Sequence, residues 1–318
     1  MTTGTAAKTA HPPTRLNAIS AKLRRHGWAL ALWTLLWALF FSPFLLQQEH
    51  LSGGDTTGQF YAFARFQAQE MANGRLPLWS PGSYGGIPFA ADTQAAVFYP
   101  PRWLTILLSL PWDFPYFALE LEILGHVWLA GVFTYALGYA IAREQTDTTR
   151  TAQLAGLVGA VAYALSGYLA SYPLSQLAIL ETVTWLPLLL LLLRTAVSRE
   201  RPLPWLLAAA LTLALSALAG HPQPFLHVSY LAAAYYLYHA IGRRWRWTWI
   251  VGLGALLALV AVGVWTAAWL PAIRFLATTV RSDVSYRFAA TGVEMLDFVQ
   301  TLVPTTLGLA SASYAGLA

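Results

Sequence analysis

Long apolar runs alternate with short polar breaks along most of this chain, and their lengths set the first expectation. A helix needs about 20 apolar residues to cross the hydrocarbon of a bilayer. Runs of about this length occupy residues 28–46, 116–142, 152–170, 177–195, 203–219, 223–241 and 248–270. Several contain Pro or Gly, which membrane helices tolerate where neighbouring groups re-satisfy the backbone. The apolar stretch 102–110 is too short to cross and reads as interfacial or re-entrant. The pattern therefore predicts an all-α integral membrane protein, a polytopic bundle of about seven spans. Residues 47–115 form a long insertion between the first two spans. An aromatic helix is expected over 56–72, stopping at Asn73-Gly74. Phe60, Tyr61, Phe63 and Phe66 give it a broad aromatic face, expected to lie in the membrane interface.

Composition supports that class. Of 318 residues, 57% are hydrophobic and 10% charged, against roughly 25% charged in an ordinary soluble domain. Too little polar surface exists to cover a soluble protein of this size. The net charge of +5 would suit nucleic acid, but the basic residues lie in short clusters between apolar runs, so no nucleic-acid partner is expected. Such clusters set orientation in a membrane instead. Lys8, Arg15, Lys22, Arg24 and Arg25, then Arg143 and Arg150, then Arg194, Arg199 and Arg201, then Arg243, Arg244 and Arg246 all fall on one side. Residues 1–27 are thus a cytoplasmic basic N-terminus preceding a transmembrane domain over 28–270. The loop 47–115 and a second segment, 271–302, are extracytoplasmic, and 303–318 reads as the start of a further span. The first apolar run lacks a small-residue cleavage site and is not a cleavable signal peptide. With no Cys, disulfides, thiolate metal sites and a Cys nucleophile are excluded. No internal repeat of the kind common in transporters is visible.

Candidate chemistry gathers on the outer side. Asp55 follows Gly53-Gly54 and opens the helix candidate. It reads either as a cap accepting a backbone N–H or as a surface carboxylate able to act as base or metal ligand. Asp92, in Ala91-Asp92-Thr93-Gln94, is an Asx-turn residue or a ligand contact alongside Gln94. His221, in Gly220-His221-Pro222-Gln223-Pro224, anchors a turn, or binds phosphate or shuttles a proton. Glu120, Glu122 and His126 lie in the outer half of the second span, with Glu122 and His126 spaced to pair on one helical face. Glu181 starts the fourth span and reads as a helix-N-terminal acid or a site residue. Arg281 and Arg287 read as headgroup contacts or as a clamp on a lipid-linked phosphate, for which the planar guanidinium is suited. The predicted topology puts Asp55, Asp92, Glu181, His221, Arg281 and Arg287 on the same face. The glycine-rich pieces are not a phosphate loop, because no Gly-Lys-Ser/Thr follows them.

Several of these pieces together resemble a known family. They are Gly53-Gly54-Asp55 with Gln59-Phe60-Tyr61; Gly74-Arg75-Leu76-Pro77-Leu78-Trp79; Gly86-Ile87-Pro88-Phe89-Ala90-Ala91-Asp92-Thr93-Gln94; Phe98-Tyr99-Pro100-Pro101; and Gly220-His221-Pro222-Gln223. From about residue 28 onward the chain resembles the bacterial YfhO-type membrane proteins, of the GT-C glycosyltransferase class. Members of that family are longer, so the resemblance makes this an N-terminal portion. It implies a GT-C-like helical bundle with a helical first extracytoplasmic loop. It also implies a polyprenyl-phosphate sugar donor, a cell-surface acceptor glycan, polymer or lipid, and an acid in the first loop near the active site, the position Asp55 takes.

On that reading Asp55 is the base or metal-positioning acid, and a divalent cation, Mg or Mn, is the candidate cofactor. Asp92, Gln94, Glu181, His221, Arg281 and Arg287 are the substrate-binding candidates, among membrane lipids. Two other classes compete. A transporter or lipid flippase explains the spans and the intramembrane Glu120, Glu122 and His126, but not the loop motifs. A non-catalytic assembly protein would keep its role without Asp55.

Overall fold

The computed structural model describes residues 15–82, 85–279 and 282, with side chains from residue 25 onward except at 172 and 173. The chain divides into two units, Met1–Ala272 and Ile273–Ala318, and the architecture below is that of the first.

The described residues are helical, with a single isolated bridge between Ser80 and Ile87 and no strand. Every predicted apolar run coincides with a helix. The first is α1 (Arg15–Phe40), continued by the short α2 (Ser42–Leu45). The insertion contributes α3 (Tyr61–Ala72) and α4 (Pro100–Ser109). Then come α5 (Tyr116–Ala142), α6 (Thr149–Ala164), α7 (Tyr172–Ser175), α8 (Leu177–Thr184) and α9 (Leu186–Ser198). The series closes with α10 (Leu203–Leu218), α11 (Pro222–Gly242) and α12 (Trp247–Leu276). Among the described residues, three helical stretches are long and apolar enough to cross a membrane: Tyr116–Ala142, Leu177–Ser198 (α8 and α9 together) and Trp247–Leu276. The run 152–170 gives a shorter helix than its apolarity suggests. α6 stops at Ala164, and Ser166-Gly167 lie in the irregular segment that leads to α7.

The core is built around α5 and α8. All eight residues of α8 are buried, and α5 buries Leu119, Ile123, Leu124 and Val127. Small residues allow the closest crossings, as expected where packing rather than water drives helix association. A Cβ on Gly156 of α6 would lie 2.7 Å from the Tyr135 carbonyl oxygen of α5, and one on Gly131 would lie 2.0 Å from the Trp33 ring. α1 is fastened to the same helices by indole donors. Trp33 and Trp37 donate to the Trp128 and Leu124 carbonyls at 3.1 and 3.0 Å, and Trp28 donates to Gln153 Oε1 at 3.0 Å. A buried indole needs a partner for its N–H, and these give three. By contrast α12 buries only Ile250 and Ala261 and leaves Trp249, Val251, Leu259 and Val262 exposed.

The insertion folds back on the bundle. The aromatic face of α3 packs in part against protein, its Tyr61, Phe63 and Phe66 rings half-buried. Phe63 and Phe66 meet the Phe89 ring edge-on at 5.3 and 4.8 Å, and Tyr61 stacks on Phe114 at 6.3 Å. Phe60 is fully buried. The rings supply the insertion with its own small core, which a loop this long needs if it is to hold one shape. An unpaired apolar face occurs instead on α4, which buries Arg102, Ile106 and Ser109 while Leu104, Leu107 and Leu108 stay exposed.

Candidate functional site

The turn at Gly53-Gly54-Asp55 is shaped by a close approach. A Cβ on Gly53 would lie 3.0 Å from Ser175 Cβ, and Thr56 Oγ1 donates to the Ser175 carbonyl at 3.2 Å. The helix opening here begins with a π turn over Thr56–Phe60 before α3 takes over. Such π turns recur at functional sites because they re-aim side chains. Asp55 is exposed and makes no capping bond to the backbone behind it. Its carboxylate accepts a hydrogen bond from Gln176 Nε2 instead. The cap reading thus gives way to a carboxylate held outward by an amide from the segment between α7 and α8.

Gln59, one turn on, donates from Nε2 to Gln94 Oε1 at 2.8 Å. The segment carrying Gln94 is two short 3-10 turns, Phe89–Ala91 and Thr93–Ala95. Asp92 stands between them, and its Oδ1 accepts the Gln94 N–H at 3.0 Å, the Asx-turn geometry expected of it. Ala96 then takes a left-handed conformation, φ 52°, and Gln67 of α3 donates from Nε2 to the Ala95 carbonyl.

The third piece arrives from the junction of α10 and α11. Gly220 has φ +92°, and a Cβ there would sit 1.8 Å from the Thr93 carbonyl oxygen. Only glycine fits, both for the backbone angle and for the approach. His221 follows at the start of α11, half-buried, with its Nδ1 buried and unbonded. Burial lowers its pKa, so the ring is neutral at neutral pH. Pieces separated by some 40 and some 130 residues in sequence therefore meet: the π turn with the Asp92 turn, and the Asp92 turn with Gly220-His221.

Glu181 lies elsewhere, inside the bundle, in a cluster the sequence did not reveal. Arg102 of α4, 1% exposed, bonds Glu122 Oε1 from Nε at 2.7 Å and Glu181 Oε1 from Nη2 at 3.3 Å. Burial opposes the guanidinium charge, but the two carboxylates outweigh it and raise its pKa. Glu122 and His126 do share a face, yet the imidazole Nδ1 bonds the Glu122 backbone carbonyl at 2.7 Å rather than the carboxylate. Trp185 Nε1 donates to the Tyr99 hydroxyl at 2.9 Å, and that hydroxyl lies 2.8 Å from His126 Nε2. Burial, with the Glu181 charge behind it, pushes the Tyr99 phenol up, so it stays protonated and donates to the ring. One lone arginine in the apolar run 102–110 was the available signal, since a charge in such a setting is paired inside or faces a cavity.

Arg281 and Arg287 lie outside the described residues. Among the described residues, no group of three or more His, Asp or Glu is placed to hold a metal ion. A Mg or Mn ion at Asp55 would draw most of its ligands from substrate and water. Comparison of the chain with family models, curated proteins and solved structures finds no match.

Proposed function

We propose that the chain belongs to a GT-C-type membrane glycosyltransferase of the YfhO kind. It transfers a sugar from a polyprenyl-phosphate donor to a cell-surface acceptor on the extracytoplasmic face. The observation that supports this reading is that pieces on which the resemblance rests meet: Gln59, one turn after Asp55, bonds Gln94, the Gln94 N–H bonds Asp92, and Gly220, next to His221, packs on the Thr93 carbonyl. The orientation follows from the basic clusters at the other ends of the helices, and the bundle is read with all seven apolar helices crossing the bilayer.

In the proposed reaction an acceptor hydroxyl attacks the anomeric carbon while Asp55 takes its proton. The bond from that carbon to the phosphate oxygen breaks, and polyprenyl phosphate leaves with the electron pair. One displacement inverts the anomeric centre. Gln176 holds the Asp55 carboxylate in place. His221, neutral, offers an N–H to the departing phosphate rather than a charge, and Arg281 and Arg287 are the proposed cationic partners. Asp92 and Gln94 shape the floor of the site, and Glu181 acts at one remove by fixing α4 through Arg102.

The test is transfer of labelled sugar from a polyprenyl-phosphate donor in membranes holding the protein at equal levels. We expect Asp55→Asn, which preserves shape and the Gln176 contact, to slow transfer by about 10²–10⁴-fold. Transfer by Asp55→Asn at the wild-type rate would remove Asp55 from the chemistry. A second reading, a transporter or flippase, draws on the buried Arg102, Glu122 and Glu181 group. Proton-coupled uptake lost in Glu122→Gln, with no transfer activity in the parent, would favour it.

A further inference from the structure

A cavity of about 410 Å³ lies between the 44–56 segment and the 171–175 segment. Its walls include Phe44, Glu49, His50, Ser52, Thr56 and Ser171. Its volume falls in the range of small-molecule sites, about 300–1,000 Å³. Asp55 precedes wall residue Thr56, and Gln176, its partner, follows wall residue Ser175.

His50 is held there in an unusual way for an exposed side chain. Its side chain is 60% exposed, while that of Glu120 behind it is fully buried. His50 Nδ1 lies 3.3 Å from both Glu120 carboxylate oxygens. The same carboxylate accepts the Leu51 N–H at 2.7 Å, and the Leu51 carbonyl accepts the Tyr116 hydroxyl. The Tyr116 ring stands edge-on to the imidazole at 6.2 Å. A surface histidine needs none of this for solubility. A buried carboxylate on Nδ1 orients the ring and leaves Nε2 turned outward, open to a ligand's hydrogen bond.

The remaining lining says what would be accepted. Glu49 disfavours an anion, and no Lys or Arg lines the cavity among the described residues. Serine and threonine hydroxyls both donate and accept, a carboxylate accepts, and Phe44 offers an apolar ring face. Neutral hydroxyl donors with an apolar side fit this set; phosphate does not.

We propose that this cavity is a sugar-binding subsite in which His50 Nε2 hydrogen-bonds a pyranose hydroxyl, with Glu120 as the positioning residue. It deepens the glycosyl-transfer reading and rests on it for the identity of the bound group: the acceptor sugar, presented next to Asp55.

The experiment is binding of a panel of methyl hexopyranosides to the protein in lipid nanodiscs, followed by saturation-transfer and ¹⁵N-histidine NMR. We expect at least one member to bind, to move the His50 Nε2 resonance, and to bind about 3- to 10-fold more weakly to His50→Asn. Asn retains an N–H for Glu120 but has no ring nitrogen where Nε2 stood, so the fold is preserved. We expect Glu120→Leu to lose the Nδ1–H signature and weaken binding similarly. Binding by no member, or binding unchanged in His50→Asn, would overturn the proposal. Transfer that needs Asp55 but proceeds at the wild-type acceptor KM in His50→Asn would overturn this subsite and leave the glycosyl-transfer reading intact. Sugar binding at His50 in a protein that transfers from no donor would do the reverse.

Discussion

Gly220 and His221 carry much of the site's geometry between them. The Thr93 carbonyl occupies the space a side chain at 220 would fill. Gly220→Ala must therefore adopt a disfavoured φ and push the Asp92 turn away. We expect it to destabilise the protein by about 1–3 kcal/mol, read as a lower melting temperature in detergent. The effect on sugar transfer should exceed that on stability, because the displaced turn carries Gln94. His221 makes a pH prediction. Its folded-state pKa lies below the ordinary value because of burial, so below about pH 6.5 the unfolded chain binds a proton that the folded chain resists. Stability is full above that pH and falls as pH drops through this region. In His221→Gln this component of the decline should be absent, which urea titrations at pH 5.5 and 7.5 would show. An equal pH dependence in the variant would mean that His221 is protonated equally well in both states.

At the scale of elements, the Arg102 group decides how the insertion meets the bundle. α4 is tied by one guanidinium to α5 and to α8, and the Tyr99 hydroxyl adds His126 and Trp185. Removing one partner from a buried ionic group costs about 3–5 kcal/mol, because the remaining charges lose their compensation. We expect that loss for Arg102→Met, seen as a fall in melting temperature, and substantial recovery when Glu122→Gln and Glu181→Gln are added. Failure of the added substitutions to recover any stability would mean that the guanidinium acts through packing alone. The same group marks where sequence reading stopped. Helix positions followed from run length, because apolarity over about 20 residues is a local property. The partners of Arg102 lie 20 and 79 residues away, and no local pattern encodes such pairs. Asp92 was legible as an Asx turn for the opposite reason: its partner is two residues on. Gly-Gly-Asp at a helix start left Asp55 open between a cap and an outward carboxylate, and the partner that separates the two, Gln176, lies 121 residues on, where no local pattern reaches. The aromatic face of α3 was legible, but the rings that cover it come from Phe89 and Phe114, which only folding brings near.

For the whole molecule, the described residues form a helical assembly with three helical stretches long and apolar enough to span a membrane. The turns carrying Asp55, Gln94 and His221 precede α3, α4 and α11, and the clusters of Arg143, of Arg199 and Arg201, and of Arg243, Arg244 and Arg246 follow α5, α9 and α11. The proposed function stands on the first of these being extracytoplasmic. The absence of native Cys allows a direct measurement with two exposed positions, Thr57 beside the proposed base and Arg246 at the far end. Thr57→Cys and Arg246→Cys would each be treated, in intact cells, with a membrane-impermeant maleimide. We expect Thr57→Cys to be labelled, and Arg246→Cys to be labelled only after the membrane is opened. Labelling of Arg246→Cys in intact cells, with Thr57→Cys protected until lysis, would place the site in the cytoplasm and contradict transfer at the cell surface.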